Sequence, residues 1–375
     1  MRVIFTCGGT AGHINPALAL AKALQARKPG AEILFVGASG NSMEARLVPQ
    51  AGFPLRQVDI NSFHRKLNAK SLKHNLTTAK NILRSRRQAA AILDEFRPDL
   101  VVGTGGFASY PVTREAARRG IPTAIHESNA VPGLTTKRLA KHVDKVMVGI
   151  AGPEIAGLDP GKVVVTGTPV RPGFHTRTRK EARAALNLAD DRPLVLSCWG
   201  SLGAAEMNHR MADFMALCVK NASPFYLIHA TGKLYYEDTL DDLAALGVNP
   251  EDYPALDLRV YIDDMALCMA AADVVLCRAG ASTISELIAL AKPAIIVPSP
   301  NVTGDHQTKN ARVLADAGGA ILLPEADCTP QRLYDEVIRL LAEPRERKTM
   351  GETLGKLAPP DATQLILDTL LSLTR

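Results

Sequence analysis

DLVVGTGG (99–106) and DVVLCRAG (273–280) align residue for residue without a gap. Each begins on an acid, passes through apolar residues of strand character and ends on glycine, directly before a segment of helical period. The neighbouring landmarks agree. FAS (107–109) follows the first copy and AST (281–283) the second, and each ensuing helix gives way to a strand led by proline, at Pro122 and Pro293. Upstream of the two copies, CGGTAGH (7–13) and WGSLGA (199–204) each stand between a hydrophobic strand and a helix. Two kinds of landmark in one order identify a duplicated unit, and the glycine-rich strand-to-helix turn marks that unit as Rossmann-like.

Outward from these landmarks, short β-branched runs alternate with helical segments. Strands are expected at 2–6, 33–36, 100–102, 122–125, 145–148 and 162–166, then at 193–198, 225–229, 258–261, 273–277, 294–297 and 320–323. Helices are expected over Pro16–Arg27, Val112–Arg119 and 282–291, among others. The fold class is α/β: two parallel-sheet, Rossmann-like domains facing across a cleft between the carboxyl ends of their sheets, where open α/β folds bind ligands. The stretch TGTPVRPG (166–173) holds two prolines and two glycines and reads as the connection. The expected domains are 1–168 and 169–360, with a helical segment at 361–375.

Composition narrows the class. At 375 residues, with 46% hydrophobic and 22% charged residues, the chain suits two globular domains. A net charge of +6 does not demand nucleic acid but permits a local basic patch. The six cysteines form no C-x-x-C pair, which argues against zinc and a disulfide framework and for a reducing cytoplasm. The N-terminus enters a strand at once, so no signal peptide is expected, and no apolar run nears the ~18 residues of a membrane span.

Glycine turns before helices let backbone N–H groups approach phosphate, and the helix terminus favours an anion. Neither opening loop has the GxGxxG spacing. The second strand of each half ends in neutral residues (VGAS at 36–39, HAT at 229–231) where a dinucleotide site needs an acid, and no P-loop is present. Nor is there a D-x-D triplet to cradle a metal–nucleotide pair. A bound diphosphate must then be neutralised by helix ends and cations, with Arg171 and the start of the 282–291 helix as candidates. In ASTISE (281–286), hydroxyls at a helix start can cap it or donate to phosphate. Glu286 can close a capping box or accept from a ribose. His13 can cap its helix, donate to phosphate, or serve as general base, since an imidazole ordinarily titrates near pH 6.5, about neutrality. His126 and Glu127 are rivals for the base, or a hydrogen-bonded pair shaping the loop of Asn129.

GGTAGH (8–13), GTGGFAS (103–109), HESNAVPGLTTK (126–137), GTPVRP (167–172), GSLGA (200–204), YIDDMA (261–266), CRAGASTISEL (277–287) and DHQTKNA (305–311) occur in the order seen in the MurG family of GT-B glycosyltransferases, and the resemblance runs from residue 1 to about 345. The resemblance implies inverting, metal-independent transfer of N-acetylglucosamine (GlcNAc) from UDP-GlcNAc to the C4 hydroxyl of the muramyl sugar of lipid I, giving lipid II in peptidoglycan synthesis. Lipid I is undecaprenyl-pyrophosphoryl-muramyl-pentapeptide. No cofactor and no metal is implied. The implied location is the bacterial cytoplasm, peripheral on the inner face of the membrane, with the C-terminal half on the UDP-sugar and the N-terminal half facing the lipid. Carried over by motif, the substrate-binding set is Thr10, Ala11, Gly12, Asn129, Arg171, Ser201, Ile262, Ala281, Ser282, Thr283, Ile284, Ser285, Glu286 and Gln307. His13, His126 and Glu127 are the catalytic candidates. The helix at 361–375 is implied to cross back onto the first domain.

Two departures from the commonest family pattern touch the donor site: GGTAGH for GGTGGH adds a methyl at Ala11, and WGSLGA for GGSQGA brings in Trp199. Between Asn61 and Ala90 lie eight Lys/Arg and no acid, interleaved with apolar residues, which suits an anionic membrane surface. Only one aromatic is available there for stacking, which disfavours nucleic acid. Three alternatives share the scaffold: a transferase acting on diacylglycerol, a UDP-GlcNAc 2-epimerase, and a non-catalytic nucleotide-sugar-binding protein.

Overall fold

The computed structural model describes residues 1–60, 84–152, 155, 157–170, 173–174, 176–357, 359 and 361–374. It divides into two compact units, Met1–Val170 with Ala358–Arg375, and Arg171–Leu357.

In the first unit the strands are β1 (Arg2–Thr6), β2 (Glu32–Ala38), β3 (Leu55–Val58), β4 (Leu100–Gly103), β5 (Thr123–Glu127), β6 (Lys145–Val148) and β7 (Val163–Val165). They form one parallel sheet in the order β3-β2-β1-β4-β5-β6-β7. The helices are α1 (Ala11–Arg27), α2 (Met43–Gln50), α3 (84–96), α4 (Ser109–Arg118) and α5 (Leu134–Leu139), with the C-terminal helix, Ala362–Ser372, added from the far end of the chain. Central strands buried on both faces must be apolar throughout, as Val3-Ile4-Phe5 and Val101-Val102 are. Val3 and Phe5 point into one core with Leu20, Leu24 and Phe35, while Ile4 points into the other with Leu93, Val101 and Val112.

The second unit holds α6 (Arg179–Ala185), β8 (Leu194–Cys198), α7 (Ala205–Lys220), β9 (Tyr226–Ala230), α8 (Tyr236–Ala245), β10 (Leu256–Arg259), α9 (Met265–Ala271), β11 (Val274–Cys277), α10 (Ala281–Ala289), β12 (Ala294–Ile296), α11 (His306–Asp316), β13 (Ala320–Leu322), α12 (Pro330–Ala342) and α13 (Pro344–Gly355). Its parallel sheet runs β10-β9-β8-β11-β12-β13, the first sheet's central order again.

The sequence echo has a structural counterpart. β4 and β11 occupy the same place in their sheets, next to the opening strand. Asp99 accepts from the Arg2 N–H at 2.8 Å, and Asp273 accepts from the Leu194 N–H at 2.9 Å. Each aspartate also returns its own N–H to the carbonyl of that same residue, at 2.8 Å in both units. The repeated acid thus ties the start of one strand to the start of its neighbour.

Three expectations need correction. Helix α1 begins at Ala11, five residues before Pro16, because the Thr10 carbonyl receives the His13 and Ile14 N–H groups and Ile14 is already buried. Helix α4 likewise begins at Ser109, ahead of Val112. Strand β3 was not foreseen; it is an edge strand, LRQV, whose two central residues are exposed, so it lacks the apolar run used to find the others. Of the basic segment, residues 61–83 lie outside the described residues. Arg84 and Arg86 at the start of α3 are paired with acids from elsewhere in the chain, Asp59 at 2.8 Å and Glu115 at 3.3 Å.

Candidate functional site

The first glycine loop is held from beneath by Glu44, a carboxylate on α2 with no exposed surface. It accepts from the Gly9 N–H at 3.3 Å and the Ala38 N–H at 3.0 Å. A Cβ on Gly8 would lie 2.7 Å from Glu44 Oε1, and one on Gly37 would lie 2.5 Å from Glu44 Cγ, so both positions must be glycine for this acid to fit. Sequence reasoning missed Glu44; its only signal was an acid two residues beyond Ser42, which caps α2.

His13 stands in the first turn of α1. Its Nδ1 lies 3.0 Å from the Gly8 carbonyl and 3.3 Å from Thr10 Oγ1. A carbonyl can only accept, so Nδ1 carries the proton and the lone pair of the neutral ring sits on Nε2. Among the described residues Nε2 has no hydrogen-bond partner. The GTGG loop packs against the ring: a Cβ on Gly105 would come within 2.6 Å of His13 Cδ2, and Thr104 Oγ1 donates to the His13 carbonyl at 2.7 Å. Thr10 is exposed at the N-cap position. It does not cap the helix with its side chain, which leaves the Ala11 and Gly12 N–H groups at an open helix end.

The rival bases are placed differently. His126 is fully buried; Nε2 donates to the Gly167 carbonyl at 2.9 Å, and Nδ1 receives the Ser128 hydroxyl at 3.3 Å. Burial holds its pKa below the usual value. Glu127 accepts at Oε1 from the Asn129 N–H and the Asn129 side-chain amide, both at 3.0 Å, and at Oε2 from the Gly133 N–H at 3.0 Å and the Thr136 hydroxyl at 2.6 Å. All four of its acceptor positions are filled. The pair shapes the loop that carries Asn129 and starts α5.

In the second unit, the WGSLGA loop is locked by backbone contact. A Cβ on Gly203 would lie 1.9 Å from the Thr231 carbonyl, at a φ of +80°. Ser201 and Leu202 are exposed at its tip. Trp199 is 2% exposed and lies in the hydrophobic core, with the Arg278 guanidinium 5.8 Å from its ring centre. Its bulk therefore goes beneath the loop.

Helix α10 opens on Gly280 without a side-chain cap, and its first internal bond runs from the Ile284 N–H to the Gly280 carbonyl at 2.9 Å. The Ala281, Ser282 and Thr283 N–H groups precede that bond. Glu286 is the sixth residue of the helix, too far along to close a capping box, which removes that reading. Ser285 turns its hydroxyl back to the Ala281 carbonyl at 2.8 Å, leaving the side chains of Ser282 and Thr283 as the hydroxyls of the first turn. Ile284 is fully buried, so only its backbone is available to a ligand. Glu286, past the middle of the helix, is itself 94% buried.

Two side chains foreseen only as parts of motifs support the loop ahead of α10. Arg278 donates to the Val297 and Pro298 carbonyls at 3.1 and 3.3 Å and pairs with Glu325; Asn310 donates to the Ala279 carbonyl at 3.1 Å. Gln307 on α11 accepts the Ser299 N–H at its Oε1, 2.9 Å away, so its amide nitrogen remains a donor. Ile262 is buried, and the nearby Asp264 caps α9. Arg171 lies outside the described residues. Among the described residues no three His, Cys, Asp or Glu side chains are grouped to hold a metal ion, and no helix is long and apolar enough to cross a membrane.

Comparison with known proteins bears on both units. Residues 3–148 match the glycosyltransferase family 28 N-terminal domain, and residues 195–366 match its C-terminal domain. A protein of Acetivibrio thermocellus named UDP-N-acetylglucosamine--N-acetylmuramyl-(pentapeptide) pyrophosphoryl-undecaprenol N-acetylglucosamine transferase is 40% identical over 368 residues, 98% of this chain and 97% of its own. One of the same name from Bacteroides thetaiotaomicron is 38% identical over 376 residues, 100% of this chain and 98% of its own. The crystal structure of Acinetobacter baumannii MurG superposes with a TM-score of 0.77 at 29% identity, over 99% of both chains. A UDP-GlcNAc 2-epimerase from Neisseria meningitidis shares the fold alone, with a TM-score of 0.64 at 15% identity over 99% of this chain and 100% of its own. With both halves matched in order and relatives alike over their full length, this chain belongs to glycosyltransferase family 28.

Proposed function

We propose that this chain transfers GlcNAc from UDP-GlcNAc to the C4 hydroxyl of the muramyl sugar of lipid I, with inversion and without a metal. The observation that carries the reading is the full-length likeness, 36–40% identical, to proteins named for this transfer. The epimerase alternative rests on fold likeness alone.

The chemistry assigned to the residues rests on the motifs carried over and, for His13, on the placement of its two ring nitrogens. The acceptor oxygen attacks the anomeric carbon as the bond to the diphosphate breaks; its proton passes to Nε2 of His13, and UDP leaves with the electron pair. Nε2 suits that task because Nδ1 is fixed as the donor to Gly8, whereas the lone pairs of His126 and Glu127 are already used. In the second unit the open N-terminus of α10, with the Ser282 and Thr283 hydroxyls, offers fixed donors to the departing diphosphate, and Arg171 adds charge. Glu286 accepts the ribose hydroxyls, and Ser201, Gln307 and the Ile262 backbone complete the donor contacts. Thr10, Ala11, Gly12 and Asn129 belong to the same donor-binding set, carried over by motif. Contact with an anionic membrane through the 61–90 segment, on the cytoplasmic face, belongs to the same reading.

The test is a transfer assay with labelled UDP-GlcNAc and a soluble-tailed lipid I analogue, with and without EDTA. A disaccharide-lipid product that survives EDTA is expected. Conversion of the donor to the manno sugar nucleotide would instead identify an epimerase, and binding without turnover an idle relative. Glu286→Ala should weaken donor affinity about 10- to 100-fold, the worth of a charge-assisted hydrogen bond, measured by calorimetric titration with UDP-GlcNAc. Unchanged affinity would sink its ribose role.

A further inference from the structure

Glu44 is a fully buried acid to which the reaction just described gives no task. Among the described residues no cation pairs with it, and its two oxygens accept only peptide N–H groups, from Gly9 and Ala38. A carboxylate buried without a counter-ion is costly to the fold. Its titratable neighbour Cys7 does not relieve that cost, because burial and the Glu44 charge push the thiol up and keep it neutral.

The bonds of Glu44 lead to His13 through one peptide group. The Gly9 N–H that donates to Glu44 Oε2 at 3.3 Å and the Gly8 carbonyl that accepts from His13 Nδ1 at 3.0 Å belong to the same peptide. In a trans peptide the N–H and the C=O point in opposite directions, so this group turns one end to the carboxylate and the other to the imidazole. It is closely packed on both sides. A Cβ on Gly8 would lie 2.7 Å from Glu44 Oε1, and one on Gly106 would lie 2.1 Å from the Gly8 carbonyl oxygen. The other groups against His13, the Thr10 hydroxyl, Thr104 and Gly105, carry no charge.

A carboxylate that accepts the N–H of a peptide polarises it and makes its carbonyl the stronger acceptor. A stronger acceptor at Gly8 keeps the proton on Nδ1, leaves the lone pair on Nε2, and favours the imidazolium formed when Nε2 takes up a proton. Resting on the assignment of His13 as the base, we infer that Glu44 is a positioning residue of the transfer reaction, which orients His13 and supports its protonated form through the Gly8–Gly9 peptide.

The experiment has two readouts on the full chain: wild type, Glu44→Gln and Glu44→Asp. The first is nitrogen NMR of labelled histidine without substrate, the His13 signals being those lost in His13→Ala. The second is the dependence of kcat/KM on pH, across neutrality, for transfer to the soluble-tailed acceptor. The wild type should hold the Nδ1–H tautomer. Glu44→Gln should lower kcat about 10- to 100-fold, as loss of an orienting partner does, with the KM for UDP-GlcNAc unchanged. It should also move the acid limb of kcat/KM and the His13 titration to lower pH by about half a unit, less than the roughly one to three units a charge in direct contact gives. Glu44→Asp keeps the charge and should leave the limb in place. The Nε2–H tautomer in the wild type overturns the inference, as does an unmoved limb in Glu44→Gln or a moved one in Glu44→Asp. Equal losses of kcat in both variants with the limb unmoved reduce Glu44 to a prop for the loop. If Glu44→Gln does not fold, the wild-type tautomer and the Glu44→Asp limb still decide. Absence of transfer by the wild type marks failure of the transfer reading, and the titration without substrate then decides separately whether Glu44 acts on His13.

Discussion

Gly105 carries a φ of +103°, and a methyl group placed on it would press on the edge of the His13 ring. The position of the proposed base thus depends on a residue that has no side chain. His13→Ala should lower kcat by about 10²- to 10⁴-fold, the usual worth of general-base catalysis, with donor affinity retained in calorimetric titration. Gly105→Ala should lower kcat by about 10²-fold, because displacing a catalytic group by an ångström costs that much. Normal turnover in His13→Ala would return the role to another group. Glu127 makes the opposite prediction. Its four acceptor sites hold the Asn129–Thr136 loop, so Glu127→Gln, which turns a donor toward donors, should cost about 2–3 kcal/mol in urea unfolding. A loss of kcat with stability unchanged would make Glu127 the base. The sequence put His13 forward as the base with His126 and Glu127 as its rivals. Only their partners separate them, and the partner of His126 is the carbonyl of Gly167, on the far side of two strands.

At the scale of elements, the repeated acid shows what a local pattern can and cannot foretell. Asp99 and Asp273 were visible as the heads of matching motifs, and both tie strand starts together. Asp273 also accepts from Nε and one Nη of Arg179, at 3.0 and 2.9 Å, a contact with α6 that nothing in the motif announces. The C-terminal helix, which we label α14 (Ala362–Ser372), is the second case. Its apolar period was legible, and it packs Ile366, Leu367 and Leu370 into the core beside Leu20 and Leu24 of α1, with Asp368 2.6 Å from Arg27. Leu370→Ala should destabilise the first unit by about 2–5 kcal/mol, as large-to-small changes in closed cores do, read as a lowered denaturation midpoint. A change under ~0.5 kcal/mol would mean that α14 is dispensable to that core.

For the whole molecule, two buried histidines contribute to the response to acid. Burial holds the His229 pKa down, to about 4, and holds the His126 pKa below its usual value as well. Unfolded histidines take up protons near pH 6.5, about 2.5 units above His229 in the folded chain. Between pH 6.5 and 4 the unfolded state therefore binds more protons, and stability must fall as pH falls through that window, by up to about 3 kcal/mol from His229 alone. Urea midpoints measured at pH 7, 5.5 and 4.5 should decline in that order. In His229→Gln the decline should be shallower, and an unaltered slope would remove His229 as its source.

The sequence by itself determined the alternation of strand and helix, the duplication, the glycine turns and the family, because each is written in local periods and in residues whose backbone freedom a turn demands. Strand β3 escaped because an exposed edge strand needs no apolar run. The tertiary structure alone decided which polar groups keep an unused valence. Glu44 is an ordinary surface acid by composition, yet it lies fully buried beneath the first loop because Gly8 and Gly37 leave room for it. Trp199 reads as a neighbour of the donor loop and proves to be core. In each case the outcome depends on atoms brought together from distant parts of the chain, and no reading of neighbours along the sequence contains it.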